Sequence, residues 1–285
     1  MALNTVKITT DCICDLTPEL IEKYQIPLMY CYITTEEARF QDTLEMTTED
    51  LIEYIEKDGK KVYSSSASVE EYKAFFEEHK KETDSALIHI CVSEKVSKSY
   101  QTAKEASKDM ENVYIVDSAQ LSGGTGMLVL AAVDMAKRGA ACEIILEELD
   151  KMKERVSTSF IVNSTECLYR NGKISKWVAA LCDMFSVHPI LKLKKGQLLP
   201  VGICFGKEKT FAKQYIKYIL KRKKDILTDI VFLTTAGCSY EFQQFLKEEI
   251  NKVVPWKVII ENKASATISS NCGSGAFGVL FLYKE

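Results

Sequence analysis

Histidine is scarce in this 285-residue chain, occurring only as His79, His89 and His188. A zinc site or a Ser-His-Asp relay would have to draw on one of the three, which counts against both at the outset. Positive charge is not in excess. Lys+Arg 37 against Asp+Glu 40 leaves a formal net charge of −3, so no global basic field gathers nucleic acid. Long apolar runs are missing too: the longest, Met127–Val133, has seven residues, whereas a membrane span needs about 20. The Met1–Thr10 start lacks the basic-then-apolar order of a signal peptide. None of the ten cysteines forms C-x-x-C, and Cys31, Cys91, Cys142, Cys182 and Cys204 lie among apolar neighbours. Reduced, mostly buried thiols in a soluble cytoplasmic protein are expected, with no metal bound.

What is present is an alternating pattern. At roughly 100–200 residues per domain the length suggests two domains. In the first half, Val6–Asp11, Pro27–Thr34, Lys61–Ser65, Ala86–Ser93 and Val113–Asp117 read as strands. Helix starts lie between them: Thr17-Pro18 pairs an N-cap with proline at the first helical position, and Ser68 with Glu71 fits the capping box. A helix from about Thr125 to Arg138 stops at Gly139. Five strands alternating with helices predict a Rossmann-like α/β/α domain around a parallel sheet, over residues 1–155. From Val156 the rhythm changes to strands, a hairpin around Lys195-Gly196 and helices from Glu208 to Lys221 and from Tyr240 to Lys252. That predicts a mixed-sheet α/β domain over 156–285, with a ligand cleft between the two. No Pro/Gly-rich linker, internal repeat or low-complexity tract interrupts the chain.

Gly273-Ser274-Gly275-Ala276-Phe277-Gly278 matches G-x-G-x-x-G in letters only. A dinucleotide fingerprint must open a helix and be followed about 20 residues later by an acid, and here a strand follows. Ser122-Gly123-Gly124-Thr125-Gly126 does open a helix after a strand, which suits an anion or close helix–sheet packing. It lacks the Gly-Lys-[Ser/Thr] ending of a nucleoside-triphosphate loop. Hydroxyls cluster at strand ends: Ser64-Ser65-Ser66 before Ser68, and Ser93 before Ser97 and Ser99. On the carboxyl edge of a parallel sheet such groups either hold a small anion such as a carboxylate or cap helices.

Lys7-Ile8-Thr9-Thr10-Asp11-Cys12-Ile13-Cys14-Asp15-Leu16 resembles the opening of the DegV family of bacterial fatty-acid-binding proteins. Further matches run in order along the chain. Ser64-Ser65-Ser66-Ala67-Ser68 falls where the family has Thr-Ser-Gln-Pro-Ser, and Ser93 to Gln101 resembles Ser-Ser-x-Leu-Ser-Gly-Thr-Tyr-Gln. Val116-Asp117-Ser118 with Ser122, Gly124 and Gly126 follows, then Gly172-Lys173-Ile174-Ser175, His188-Pro189-Ile190-Leu191, and Gly273 with Gly275. The chain departs from the family pattern at Cys12-Ile13, Ser66-Ala67, Glu94, Phe205 (near a family arginine) and Asn271 (where a histidine is usual).

The resemblance implies a non-catalytic carrier of one long-chain fatty acid. Ser64 or Ser65, Ser93 and Asn271 would lie at the acyl carboxylate, and Gly124, Gly126, Gly273 and Gly275 would form the cleft loops. It also implies a fatty-acid kinase as partner and no cofactor beyond the fatty acid. The alternative is a serine hydrolase or acyltransferase using Ser93 or Ser122, with His89 or His188 as base, but Gly-x-Ser-x-Gly is absent. Finally, Lys209, Lys213, Lys217 and Lys221 repeat every fourth residue opposite Phe211, Tyr215 and Ile219. They form one helix stripe, either a solvated face or a dock for an acidic kinase surface or an anionic membrane.

Overall fold

The computed structural model describes residues 6–58, 61–83, 85–170 and 175–285. The resembling segment Gly172-Lys173-Ile174 lies outside them. The first part of the chain forms β1 (Lys7–Asp11), α1 (Pro18–Tyr24), β2 (Leu28–Met29), β3 (Tyr32–Thr34), β4 (Arg39–Gln41), α2 (Thr48–Asp58) and β5 (Tyr63–Ser65). It continues with α3 (Val69–Lys80), β6 (Leu87–Cys91), α4 (Ser99–Ala106), β7 (Val113–Asp117), α5 (Gly123–Lys137) and α6 (Cys142–Lys153). The second part forms β8 (Val156–Ile161), α7 (Glu166–Arg170), α8 (Lys176–Met184), β9 (Val187–Lys194), β10 (Gln197–Phe205) and α9 (Glu208–Ile219). It closes with β11 (Ile226–Ala236), α10 (Tyr240–Val253), β12 (Val258–Lys263), α11 (Ala266–Cys272) and β13 (Ala276–Tyr283).

A parallel sheet has the order β2-β1-β6-β7, and a separate mixed sheet has the order β10-β9-β8-β13-β11-β12. The fold is therefore the expected two-domain α/β class. The parallel sheet has four strands, however, and not five. Pro27–Thr34 divides: Leu28–Met29 pairs with β1, while Tyr32–Thr34 turns away and joins β4 and β5 in a three-stranded antiparallel sheet. A strand inside a parallel sheet is covered on both faces and needs apolar residues on both. Tyr63-Ser64-Ser65 is exposed at all three positions and cannot fill that place.

Local chemistry sets the helix starts. Thr17 Oγ1 accepts from Leu20 N at 3.4 Å with Pro18 at the first position of α1. At α3, Glu71 N donates to Ser68 Oγ at 3.2 Å while Ser68 N donates to Glu71 Oε2 at 2.6 Å, a complete capping box. The β9–β10 hairpin turns through Lys195 (φ 50°) and Gly196 (φ 74°), the paired positive φ values of a type I′ turn.

The two main sheets share one helix. Leu128, Val129 and Ala132 of α5 are buried in a cluster that takes Ile8, Ile88 and Ile90 from the first sheet and Phe232 and Leu280 from the second. This is why α5 is apolar nearly all round. On the far face of the first sheet lie α3 and α4, through Tyr72, Phe76, Ala103 and Ala106. On the far face of the second lie α9 and α10, through Phe211, Tyr215, Phe242 and Leu246. Most of the cysteines are buried, as expected, and Cys182 is only half-buried. Among the described residues no helix is long and apolar enough to cross a membrane.

Glycine at the start of α5 permits this wedge. A Cβ on Gly123 would lie 2.9 Å from Phe232, one on Gly124 2.0 Å from Thr158 Oγ1, and one on Gly126 2.8 Å from the Cys14 carbonyl oxygen. In an exposed helix Gly→Ala gains about 1 kcal/mol. Gly126→Ala should instead lower stability by about 1–3 kcal/mol, because backbone must move. Urea unfolding of the two proteins checks the sign; a stabilised variant would mean that α5 does not pack this closely.

Candidate functional site

A narrow seam lies between the start of α5, the mixed sheet and α11. Its apolar lining comes from Leu121, Phe160, Ile268, Cys272, Phe277 and Leu280, with hydroxyls from Ser122, Thr158, Thr234 and Thr235. The space inside this half-open seam measures about 30 Å³, within about 340 Å³ of atom-free space that includes open solvent. The smaller figure is room for a water or two. Thr158 Oγ1 is buried and has no hydrogen-bond partner among the described residues. Thr234 Oγ1 donates to Asn262 Oδ1 at 2.9 Å.

Two buried carboxylates fasten α11 at the seam's edge. Asp42 accepts from Ala266 N (2.8 Å) and Thr267 N (2.9 Å), the open amides of the first turn of α11. Asp15 accepts from Ser265 N at 3.0 Å and from Ser122 Oγ at 2.5 Å, while its carbonyl receives Asn262 Nδ2 at 2.6 Å. Burial pushes the Asp15 carboxyl up from its ordinary 3.8 to about 7, against hydrogen bonds from Ser122 and Ser265 that hold it down. Asp42 is raised as well, again by burial.

The structure distributes the expected site residues over three places. Ser64 and Ser65 are exposed on β5, in the three-stranded sheet that packs against α11. Asn271 is exposed on α11, its Nδ2 donating to Thr267 O at 2.9 Å. Ser93 is buried just past β6, where its hydroxyl donates to Gly196 O at 2.8 Å and accepts from Lys95 N at 3.3 Å. Among the described residues no hydrogen bond joins Ser93 to Ser64, Ser65 or Asn271. A polar hollow of about 230 Å³ lies against the same hairpin, lined by Lys153, Lys192, Lys194 and Lys195 with Gln120. Burial and the neighbouring Lys194 hold the Lys192 ammonium below its usual range.

Gly124 and Gly126 are buried inside α5 and face protein, so their role is close packing. Gly273 (φ 80°) and Gly275 (φ 78°) form the tight turn into β13, against Cys167 and Asn163. Glu94 is exposed and takes a hydrogen bond from Gln101 Nε2 at 2.8 Å. Phe205 is half exposed, its backbone paired with the Gln214 side chain. The lysines at 209, 213, 217 and 221 are all exposed, with Phe211, Tyr215 and Ile219 buried opposite.

Neither serine of the hydrolase alternative faces an imidazole among the described residues. Ser122 is spent on Asp15, and Ser93 on Gly196. His89 sits between Thr9 and Asp11, and both His188 nitrogens face carbonyl oxygens, of Val162 at 3.2 Å and Gly206 at 3.0 Å.

Sequence reasoning missed the seam and the outer face of α8. That face carries Trp177, 82% exposed, and Met184, 73% exposed, with Leu181 and Val178, and Phe185 follows. The i, i+4, i+7 spacing of Trp177, Leu181 and Met184 was the available signal. Helix α8 packs on β9 and on α7, whose Leu168 joins the apolar cluster around Ile268 and Cys272.

The chain belongs to the DegV family: the family profile, described as "Uncharacterised protein, DegV family", matches residues 5–284. A DegV domain-containing protein of Staphylococcus aureus is 27% identical over 281 residues, 97% of this chain and 98% of the relative. One from Caldanaerobacter subterraneus is 26% identical over 287 residues, 99% of this chain and all of the relative (100%). Among solved structures, one described as fatty acid binding of a DegV family protein from Thermus thermophilus superposes with a TM-score of 0.88 at 24% identity, covering 98% of this chain and 100% of that one. A stearic acid-binding protein from Eubacterium ventriosum gives a TM-score of 0.81 at 21% identity, with 98% of each chain covered.

The raised Asp15 carboxyl has a measurable consequence. Between pH 3.8 and about 7 the folded chain keeps a proton that the unfolded chain has released. Stability therefore falls as pH rises through that window and levels off above it, with Asp42 contributing in the same direction. The Asp15 share is on the order of 4 kcal/mol at most. Asp15→Asn keeps an acceptor for Ser265 N, so its unfolding free energy should decline less between pH 4 and 8 than that of the wild type. Parallel pH profiles for the two proteins would contradict the assignment.

Proposed function

We propose that this protein binds one long-chain fatty acid and carries it chemically unchanged, presenting the carboxylate to a separate fatty-acid kinase. The observation that carries this reading is the fold shared with the fatty-acid-binding proteins of Thermus thermophilus and Eubacterium ventriosum; the apolar seam beneath α11 is the place where an acyl chain would enter, and it must widen to admit one. We place the domain boundary between residues 155 and 156, with the acyl cleft between the domains. Burying about 14 methylenes at ~0.8 kcal/mol each gives ~11 kcal/mol gross. Association offsets ~4–15 kcal/mol of it, so head-group hydrogen bonds decide the affinity. Ser93 and Ser64, with Ser65 as the alternative to Ser64 and Asn271 beside them, are assigned to the carboxylate.

Isothermal titration of delipidated protein with palmitate and oleate should give one site at micromolar concentration or tighter. A hydrogen bond to a charged group is worth about 1.5–3 kcal/mol. Ser93→Ala or Ser64→Ala should then weaken acid binding roughly 10- to 150-fold and the methyl ester much less. Equal losses for acid and ester would show that the hydroxyls only shape the fold, and failure to retain any long-chain acid would overturn the carrier reading.

We infer that the ligand is exchanged at a lipid surface, and we assign this contact to the exposed face of α8. Aromatic and aliphatic side chains lie there beside Lys176, while the lysine stripe of α9, on the far face of the mixed sheet, is a separate basic surface that would attract anionic lipid. Replacing Trp177 and Met184 by serine should abolish binding to phosphatidylglycerol vesicles. Exchanging Lys213, Lys217 and Lys221 for glutamate should slow association at low salt, and both variants should keep fatty-acid affinity. Vesicle binding unchanged in both would remove the membrane from the scheme.

A further inference from the structure

On the face of the first sheet away from α5, strand register gathers four polar side chains. β1 and β6 run parallel with Thr9 opposite His89, and the two-residue period of a strand then puts Thr9, Asp11, His89 and Cys91 on one face. Ile8, Ile88 and Ile90 take the other face, toward α5. The polar group is covered by α3, through Tyr72 and Phe76.

All four side chains are completely buried. Asp11 Oδ1 accepts the Tyr72 hydroxyl at 2.5 Å and lies 3.2 Å from His89 Nε2. Asp11 Oδ2, equally buried, has no hydrogen-bond partner among the described residues. A carboxylate oxygen left so is costly unless something positive meets it. The ligand atoms offered by Asp11, His89 and Cys91 all lie within 4.8 Å of one another. A tetrahedral shell with bonds of about 2.0–2.3 Å needs only a modest contraction from there. His89 is also oriented from behind, since its Nδ1 lies 2.9 Å from Thr9 Oγ1. With the proton on Nδ1 and donated to Thr9, Nε2 offers its lone pair inward, the outer-shell arrangement typical of metal-bound histidine.

We propose that Asp11, His89 and Cys91 form a binding site for zinc, separate from the fatty-acid site. The thiolate and imidazole favour zinc over magnesium or calcium. One dication with one carboxylate and one thiolate sums to zero charge, which suits burial. Binding releases the Cys91 thiol proton to solvent and moves the His89 proton from Nε2 to Nδ1. The Nε2–Asp11 hydrogen bond is exchanged for two metal bonds, and Tyr72 keeps its bond to Oδ1. A fourth position is left for water. The ion would tie the carboxyl ends of β1 and β6 to each other beneath α3.

The test uses the full chain, reduced and stripped with chelator, and cobalt(II) as probe. Addition of cobalt should produce a thiolate-to-cobalt charge-transfer band that saturates at one equivalent and is displaced by zinc. Cys91→Ser should lose the band, and Thr9→Val should weaken cobalt binding about 10- to 100-fold while keeping it. Zinc-edge X-ray absorption on the wild type needs no variant and should show one sulfur among nitrogen and oxygen ligands. No band at one equivalent, a band that persists in Cys91→Ser, or a shell of several sulfurs would each overturn the site.

Discussion

The architecture depends on one helix serving two sheets. The first turn of α5 has almost no side chains, and that absence lets its backbone press against Phe232 and Thr158 on one side and the Cys14 carbonyl on the other. Once α5 is clamped there, its aliphatic residues complete a single apolar cluster that reaches from Ile8 to Leu280. The mixed sheet is thereby held at a fixed distance from the parallel one. The seam lies where α5 begins and Leu121 and Ser122 supply its wall.

A second, polar constraint closes the seam from above. Helix α11 is short; Ser265 Oγ caps Ile268 N, while the amides of Ser265, Ala266 and Thr267 would be orphaned without Asp15 and Asp42, both contributed by the first half of the chain. Two carboxylates reaching across the molecule thus hold an element whose Ile268 and Cys272 face the apolar space. The cost appears as raised proton affinity, since both acids are buried deeply enough for the charged form to suffer.

Much of this was legible in the residues. Val113–Asp117 reads as the strand observed, since it is a β-branched and aromatic run between turn residues. The caps at Thr17-Pro18 and Ser68/Glu71 work as their spacing implies, because both depend on neighbours within three residues. The lysine stripe is exposed as its period requires. Features set at long range were not legible. Ser64 and Ser65 looked like a strand end of the parallel sheet, but β5 pairs with Tyr32–Thr34, a choice made by burial. Ala266–Cys272 has a local cap in Ser265, whose Oγ accepts from Ile268 N, but the amides of Ala266 and Thr267 are held by distant Asp42, which no local pattern discloses. The meeting of Asp11 with His89 and Cys91 needs the register of β1 on β6, which no local pattern discloses.

The Ser93 hydroxyl has a single proton, and in this structure the Gly196 carbonyl has it. A carboxylate that takes this proton must displace the carbonyl, so ligand and hairpin are rivals for one donor. Binding through Ser93, as proposed, would therefore carry an exchange free energy set by how well Gly196 is rehydrated or re-paired. Under the proposed assignment of Ser93 to the carboxylate, the β9–β10 turn would be a built-in competitor: whatever loosens the hairpin would strengthen ligand capture, and whatever tightens it would promote release.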